Sequence, residues 1–202
     1  MNMQKLFFSF IVIIVIAIIS AYFTINKMKD LSSNTQKMYT HPFTVSNAVA
    51  DIQTIIITMH RNMKDIVLTK NSLEMIKIIE EIQHEEDKAL KKFDLVYKNY
   101  LGNKKDIDDS YKAFRQWKKI REEVIALMYQ KKTDEAIAIT KGKGAKHIQD
   151  LYIQIKVLKD YAHNKANEFY TKAVKDNGVQ YVISSIFFAM ALSSLIVIYI
   201  VI

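Results

Sequence analysis

The sequence predicts an all-α protein: a membrane-anchored antiparallel four-helix bundle flanked by two transmembrane helices. The 202 residues include one proline and four glycines, a composition that favours long helices and few turns. Two uncharged runs, residues 6–24 and 181–202, are close to the roughly 20 residues that a bilayer-spanning helix needs. Between them, apolar residues recur at spacings of three and four, as in helices that pack side by side.

The uncharged runs divide the chain into three parts. Residues 1–24 are expected to form an N-terminal transmembrane helix. A cleaved signal peptide is the less favoured alternative, because its apolar core would be long and Ile19-Ser20-Ala21 is a poor cleavage site. Residues 181–202 are expected to form the second transmembrane helix, and small residues along it favour close helix packing. Residues 25–180 are then an extracytoplasmic bundle, with both termini in the cytoplasm.

Charge and cysteine content exclude some classes of partner. The formal net charge is +8, and almost all of it lies between the two membrane-length runs. Nucleic acid is therefore not an expected partner. Lipid headgroups or small anionic solutes would suit this charge, but a lysine-rich solvated surface is the favoured explanation. The absence of cysteine excludes disulfides and thiolate metal sites.

The strictest apolar repeat lies in residues 39–68. Its members are spaced four and three residues apart and form one stripe: Val45, Val49, Ile52, Ile56, Met59, Met63 and Ile66. The same phase continues through Pro42, so a kinked continuous helix is expected there.

Three more amphipathic helices complete the predicted bundle. They are expected at about 72–100, 106–129 and from Ala145 onwards, with Asn71 as the N-terminal cap of the first. Residues 130–144 are expected to be a connector with one short helical turn from Thr133. Short connections make the four helices antiparallel.

The best candidate binding site is a basic cluster on the first bundle helix. His60, Arg61 and Lys64 lie within one helical turn, and Arg121 lies on the inward stripe of the third helix. An arginine can bind two oxygens of a carboxylate at once, so the cluster is a candidate site for a small anionic ligand. The alternative is structural, with Arg61 paired to Asp65 and Arg121 paired to Glu86.

His41, Pro42 and Phe43 form a candidate hinge. A proline inside a helix removes a backbone hydrogen bond and bends the helix. The bend either transmits motion or only directs the chain into the bundle.

Enzyme chemistry has little support in the sequence. There is no glycine-rich phosphate loop, no Gly-x-Ser-x-Gly and no His-Glu-x-x-His. No catalytic residue, metal site or cofactor is expected, and His84-Glu85-Glu86 is better explained as a solvated helix face.

The motif around Pro42 resembles a known family. Tyr39-Thr-His-Pro-Phe-Thr-Val-Ser-Asn-Ala-Val49, then Ile55 to Met59 and His60-Arg-Asn-Met-Lys-Asp-Ile66, resemble the first helix of the four-helix-bundle sensory module of bacterial methyl-accepting chemotaxis receptors. Membrane histidine kinases and diguanylate cyclases share this module. The resemblance implies a sensory input module in the bacterial inner (cell) membrane, a multi-pass protein that forms a homodimer in the lipid bilayer. Ligand or partner binding would shift the last helix.

One departure from the family leaves alternatives open. The family continues after the second membrane helix into a linker bundle and an output domain, and these 202 residues include neither. The chain could therefore be a truncated membrane adaptor that dimerises with full-length receptors, or a structural membrane bundle without a ligand.

Overall fold

The computed structural model describes residues 3–201, and it describes the side chains of residues 7–8, 10–197 and 199. The outermost residues of the two expected membrane segments, 1, 2 and 202, lie outside the described residues. Within residues 3–201 there are six α-helices: α1 (Met3–Met38), α2 (Thr44–Leu68), α3 (Ser72–Asn99), α4 (Lys104–Tyr129), α5 (Thr133–Ile139) and α6 (Ala145–Val201). Two π-helical turns, Tyr39–Phe43 and Thr140–Gly144, join α1 to α2 and α5 to α6. No strand occurs within residues 3–201, so the prediction of an all-α fold is confirmed.

The chain forms two compact units. One is the bundle, residues 39–166, which contains α2 to α5 and the first part of α6. The other contains residues 3–38 together with residues 167–201, which are α1 and the rest of α6.

The bundle core follows the apolar stripes. Every member of the predicted α2 stripe is buried, so this prediction is confirmed. Opposite it lie large side chains of the other helices, among them Phe93, Phe114, Trp117 and Leu151. Fully burying one such side chain contributes about 1.5–3 kcal/mol relative to leaving it exposed, so the stripes stabilise the bundle.

Polar N-terminal caps begin α3 and α4 directly after the short turns. The Asn71 side chain accepts hydrogen bonds from the backbone N–H groups of Leu73 and Glu74, as predicted. The Asn103 side chain accepts from the N–H of Lys105 at the start of α4. Each cap satisfies a backbone donor that the first helical turn leaves without a partner.

The segment 130–144 differs from the expected connector. Only Gln130–Lys132 interrupts the helix, and Lys131 has φ of 59°. From Thr133 the chain stays helical through α5 and the π-turn into α6. The physical reason is a narrow face of small residues four apart, Ala136, Thr140 and Gly144, which is buried in the bundle.

The second unit contains the uncharged runs. Two helices among the described residues are long and apolar enough to cross a membrane, judged by length and composition, which indicates membrane association. Their apolar side chains, such as Phe8 and Phe188, are exposed in the protein alone. Within this unit, the Gln180 side-chain amide donates to the Thr24 hydroxyl at 3.2 Å, and the rings of Phe23 and Phe187 lie 6.2 Å apart.

Candidate ligand-binding site

A cleft of about 460 Å³ lies between α2, α5 and the start of α6. Its apolar wall consists of Val67, Leu68, Ile137 and Ala145. Its polar residues are His60, Lys64, Thr140 and Lys141. A cleft of this size, mostly apolar with a few polar groups, has the general character of a small-molecule site.

A small niche of about 10 Å³ adjoins the cleft. His60 and Thr140 line both spaces, and Arg121 and Trp117 of α4 line the niche. The Thr140 hydroxyl already donates to the Ala136 carbonyl oxygen at 2.9 Å. The niche therefore brings together polar side chains from three elements: His60 of α2, Thr140 of the π-turn and the buried cation Arg121 of α4.

Arg121 is held by an ion pair in the core. Its side chain is 4% exposed, and its Nη2 donates to Glu86 Oε2 at 2.8 Å. The guanidinium also lies 5.0 Å from the centre of the Trp117 ring, a cation–π contact. The Arg121–Glu86 pair is the structural alternative that the sequence offered. It does not use all the donors of Arg121, because Nε is buried without a hydrogen-bond partner.

Glu86 is shared by several cations. Lys118 Nζ lies 3.2 Å and Arg115 Nη1 lies 3.6 Å from Glu86 Oε1. Burial raises the pKa of Glu86, but hydrogen bonds and attraction from Arg121 and Lys118 outweigh burial, and the pKa is lower than usual. Glu86 is therefore ionised at neutral pH, and its single negative charge faces three positive side chains.

His60 is half-buried, and its Nε2 is buried without a hydrogen-bond partner. Burial, and then the positive charge of Lys64, lower the pKa of this imidazole below 6.5. It is therefore neutral at pH 7, with one ring nitrogen that donates and one that accepts.

The predicted basic cluster is only partly gathered at the cleft. His60 and Lys64 line the cleft, and Arg121 lines the niche that shares His60 and Thr140 with the cleft. Arg61 is exposed and lines neither space. Among the described side chains, no ion pair joins Arg61 to Asp65. Lys141 is a cleft residue that the sequence analysis missed, because it lay in the expected connector.

The candidate hinge occupies the first π-turn. Pro42 is buried inside it, and the helix continues through the proline as expected. His41 Nδ1 lies 3.2 Å from the Asn99 carbonyl oxygen at the end of α3. Phe43 is exposed, with its ring 4.8 Å from that of Tyr39. The turn is thus fixed at His41 and Pro42 and open to solvent at Phe43.

No group of three or more His, Asp or Glu side chains that could hold a metal ion occurs within the described residues.

The described residues define an all-α protein with two helices that are long and apolar enough to cross a membrane. Residues 3–176 match the model of the four helix bundle sensory module for signal transduction, and the chain belongs to this family. The resemblance expected from the residues around Pro42 is thereby confirmed. No curated protein and no solved structure matches the chain significantly.

Proposed function

We propose that this chain is the transmembrane sensory input module of a chemoreceptor-like signalling protein. It detects a small solute in the cleft between α2 and α5 and transmits its presence by movement of α6. The observation that carries this proposal is the family match across residues 3–176, which includes α1 and every bundle helix. The cleft supports it by offering a space of small-molecule size.

The proposed placement follows from the uncharged runs. Residues 1–24 and 181–202 cross the bacterial inner membrane, and residues 25–180 lie outside the cytoplasm. The lipid bilayer covers the exposed apolar side chains of the two membrane segments. A second copy of the chain completes a homodimer.

The geometry of the cleft connects the solute to α6. Ala145 is the first residue of α6 and part of the cleft wall. The π-turn just before it supplies Thr140 and Lys141. A solute that fills the cleft contacts the start of the helix that leads to the second membrane segment, so binding can favour one position of that helix over another.

Pro42 is proposed as a hinge that takes part in transmitting the response to the solute. The missing N–H leaves the π-turn with fewer backbone hydrogen bonds than an unbroken helix, which makes it easier to bend. In Pro42→Ala the lost donor is restored, and a weaker response to solute is expected.

A chimera tests this function. The whole chain is joined to the cytoplasmic part of a methyl-accepting chemotaxis protein, and kinase control is measured in membranes. A solute that changes kinase output should do so less in Ala145→Phe, in which a bulky ring occupies the cleft. Ala138→Phe, at an exposed position on α5, is the matched control and should respond normally. If output never changes with any small solute, the sensory role is contradicted.

A further inference from the structure

We propose that the cleft and niche form one two-part site for an organic anion: a carboxylate that enters the niche, carried by an apolar body that fills the cleft. This inference rests on the proposed sensory function and names the chemical class of its ligand. It is carried by two buried nitrogens without partners, by the sizes of the two spaces and by the charges around them.

The unpartnered nitrogens belong to side chains that line the same niche. His60 Nε2 and Arg121 Nε are both buried without a hydrogen-bond partner. Buried polar groups are nearly always paired in folded proteins, and an orphaned group indicates a missing water or ligand. Arg121 is 4% exposed, so bulk water does not satisfy it.

The chemistry of these nitrogens favours an acceptor. The Arg121 Nε always carries a proton and can only donate. The His60 imidazole donates from Nε2 in one of its two neutral tautomers. A carboxylate oxygen can accept from both, and such charge-assisted hydrogen bonds are stronger than neutral ones.

The volumes of the niche and the cleft indicate which part of the ligand each space would hold. The niche, at about 10 Å³, admits a single oxygen-sized group. The cleft, at about 460 Å³, admits a body of several carbon atoms. Val67, Ile137 and Ala145 on its wall would pack against hydrocarbon, whereas a fully hydrophilic anion would leave this wall without a partner.

The charges add long-range attraction for an anion. Lys64 of α2 and Lys141 of the π-turn lie at the cleft. Glu86 does not cancel the charge of Arg121, because the same carboxylate also contacts Lys118 and Arg115. The side chains that face the site from α2, α4 and the π-turn therefore sum to a positive potential.

Calorimetry on the full chain in lipid nanodiscs tests the ligand class, with hexanoate, 1-hexanol, hexylamine and acetate as probes. Empty nanodiscs correct for partition into lipid. Hexanoate should bind at least tenfold more tightly than each of the other three, because only hexanoate has both the anion and the apolar body. If 1-hexanol binds as tightly as hexanoate, the niche holds only a water molecule and the inference is wrong.

Variants locate the site. Ala145→Phe should lower hexanoate affinity at least tenfold, whereas Ala138→Phe should leave it unchanged. Lys141 is exposed, so Lys141→Gln should not disturb folding, and it should lower hexanoate affinity several-fold. Lys146→Gln, also at an exposed position, is the matched control and should leave the affinity unchanged. Wild-type affinity in both Ala145→Phe and Lys141→Gln would overturn the assignment.

The outcomes separate the two proposals. If hexanoate binds as expected but leaves the output of the chimera unchanged, the ligand class stands and the sensory function fails. If hexanoate does not bind, and another solute changes the output in a way that Ala145→Phe abolishes, the sensory function stands and the ligand class fails.

Discussion

Arg121 illustrates how single residues prepare the site. A guanidinium in the core is tolerated because Glu86 lies 2.8 Å away, and removing one member of such a pair leaves an uncompensated buried charge. The pair fixes one side of the guanidinium against α3. It leaves Nε of Arg121, a residue that lines the niche, buried without a hydrogen-bond partner. The proposed site thus assigns both a structural role and a ligand-binding role to one side chain.

The pair gives a stability prediction. Glu86→Gln should lower the free energy of unfolding by about 3–5 kcal/mol, because Arg121 stays buried without its counter-charge. Lys92→Gln, which breaks the exposed Lys92–Asp51 pair of 2.6 Å, should cost about 1 kcal/mol or less. Urea unfolding of the full chain in detergent, followed by fluorescence of the single tryptophan, Trp117, measures both. Equal losses of unfolding free energy in the two variants would show that the buried Arg121–Glu86 pair contributes no more than the exposed Lys92–Asp51 pair.

His60 gives a pH prediction. Its pKa is lower than 6.5 in the folded chain, so the unfolded chain binds the proton more readily. The stability that neutral His60 contributes is therefore complete above pH 6.5. It is lost as the pH falls through the pKa that His60 has in the folded chain, which is lower than 6.5. Burial is the main cause of the lowered pKa, and the positive charge of Lys64 adds to it. Arg121 and Lys141 are the other cations that line the niche or the cleft with His60.

The test compares thermal unfolding at about pH 7.5 and about pH 5.5. The wild type should lose more stability on acidification than His60→Gln. His163→Gln removes an exposed imidazole of α6 and serves as the matched control. An identical pH dependence in the wild type and His60→Gln would contradict the assigned environment of His60.

The second π-turn, Thr140–Gly144, is the element that shapes the cleft. Its two glycines differ in their surroundings. A Cβ at Gly142 would meet nothing within 4 Å, whereas one at Gly144 would lie 3.1 Å from the Ile139 carbonyl oxygen. A Cβ at Gly144 would crowd the Ile139 carbonyl oxygen, and a backbone carbonyl cannot move aside freely.

A pair of glycine variants tests this element. Gly142→Ala should raise stability by about 0.5–1 kcal/mol, since alanine loses less conformational freedom on folding than glycine. Gly144→Ala should gain nothing or lose stability, because its Cβ meets the backbone. Thermal unfolding of both variants measures the difference, and an equal gain in both would show that the turn is not tightly packed at Gly144.

The elements also show how much of the fold could be predicted from the sequence. The α2 stripe and the Asn71 cap were predictable, because apolar spacing and capping chemistry are local properties. Of the helix in residues 133–144, only one short turn from Thr133 was predicted. The rest was not, because the burial of Ala136, Thr140 and Gly144 depends on packing against other helices, which local sequence does not reveal. The spacing of Ala136, Thr140 and Gly144 was the available signal.

The candidate site was predictable to a similar degree. Arg121 stood out as a charge on an inward stripe, and its pairing with Glu86 was one of two explicit alternatives. His60 and Lys64 were identified from their spacing. Lys141 was missed together with its helix. The unpartnered state of His60 Nε2 and Arg121 Nε depends on contacts among α2, α4 and the π-turn, and no sequence pattern encodes it.

At the scale of the whole molecule, the proposed function requires that ligand binding in the bundle shifts the helices that carry the two uncharged runs. The family assignment over residues 3–176 makes signalling the function of the chain, and α6 is the element common to the cleft wall and the second uncharged run. Shifts of about 1–2 Å along a helix are sufficient in known switching proteins.

The most direct measurement is a distance between spin labels at Lys29 of α1 and Lys175 of α6, both exposed. The chain has no cysteine, so Lys29→Cys and Lys175→Cys provide the only two thiols. Electron–electron resonance is recorded in nanodiscs, with excess unlabelled chain so that distances within one chain dominate. Saturating hexanoate should shift the distance by about 1–2 Å in the otherwise wild-type chain and leave it unchanged with Ala145→Phe. An unchanged distance, with calorimetry showing hexanoate bound, would contradict transmission through α6.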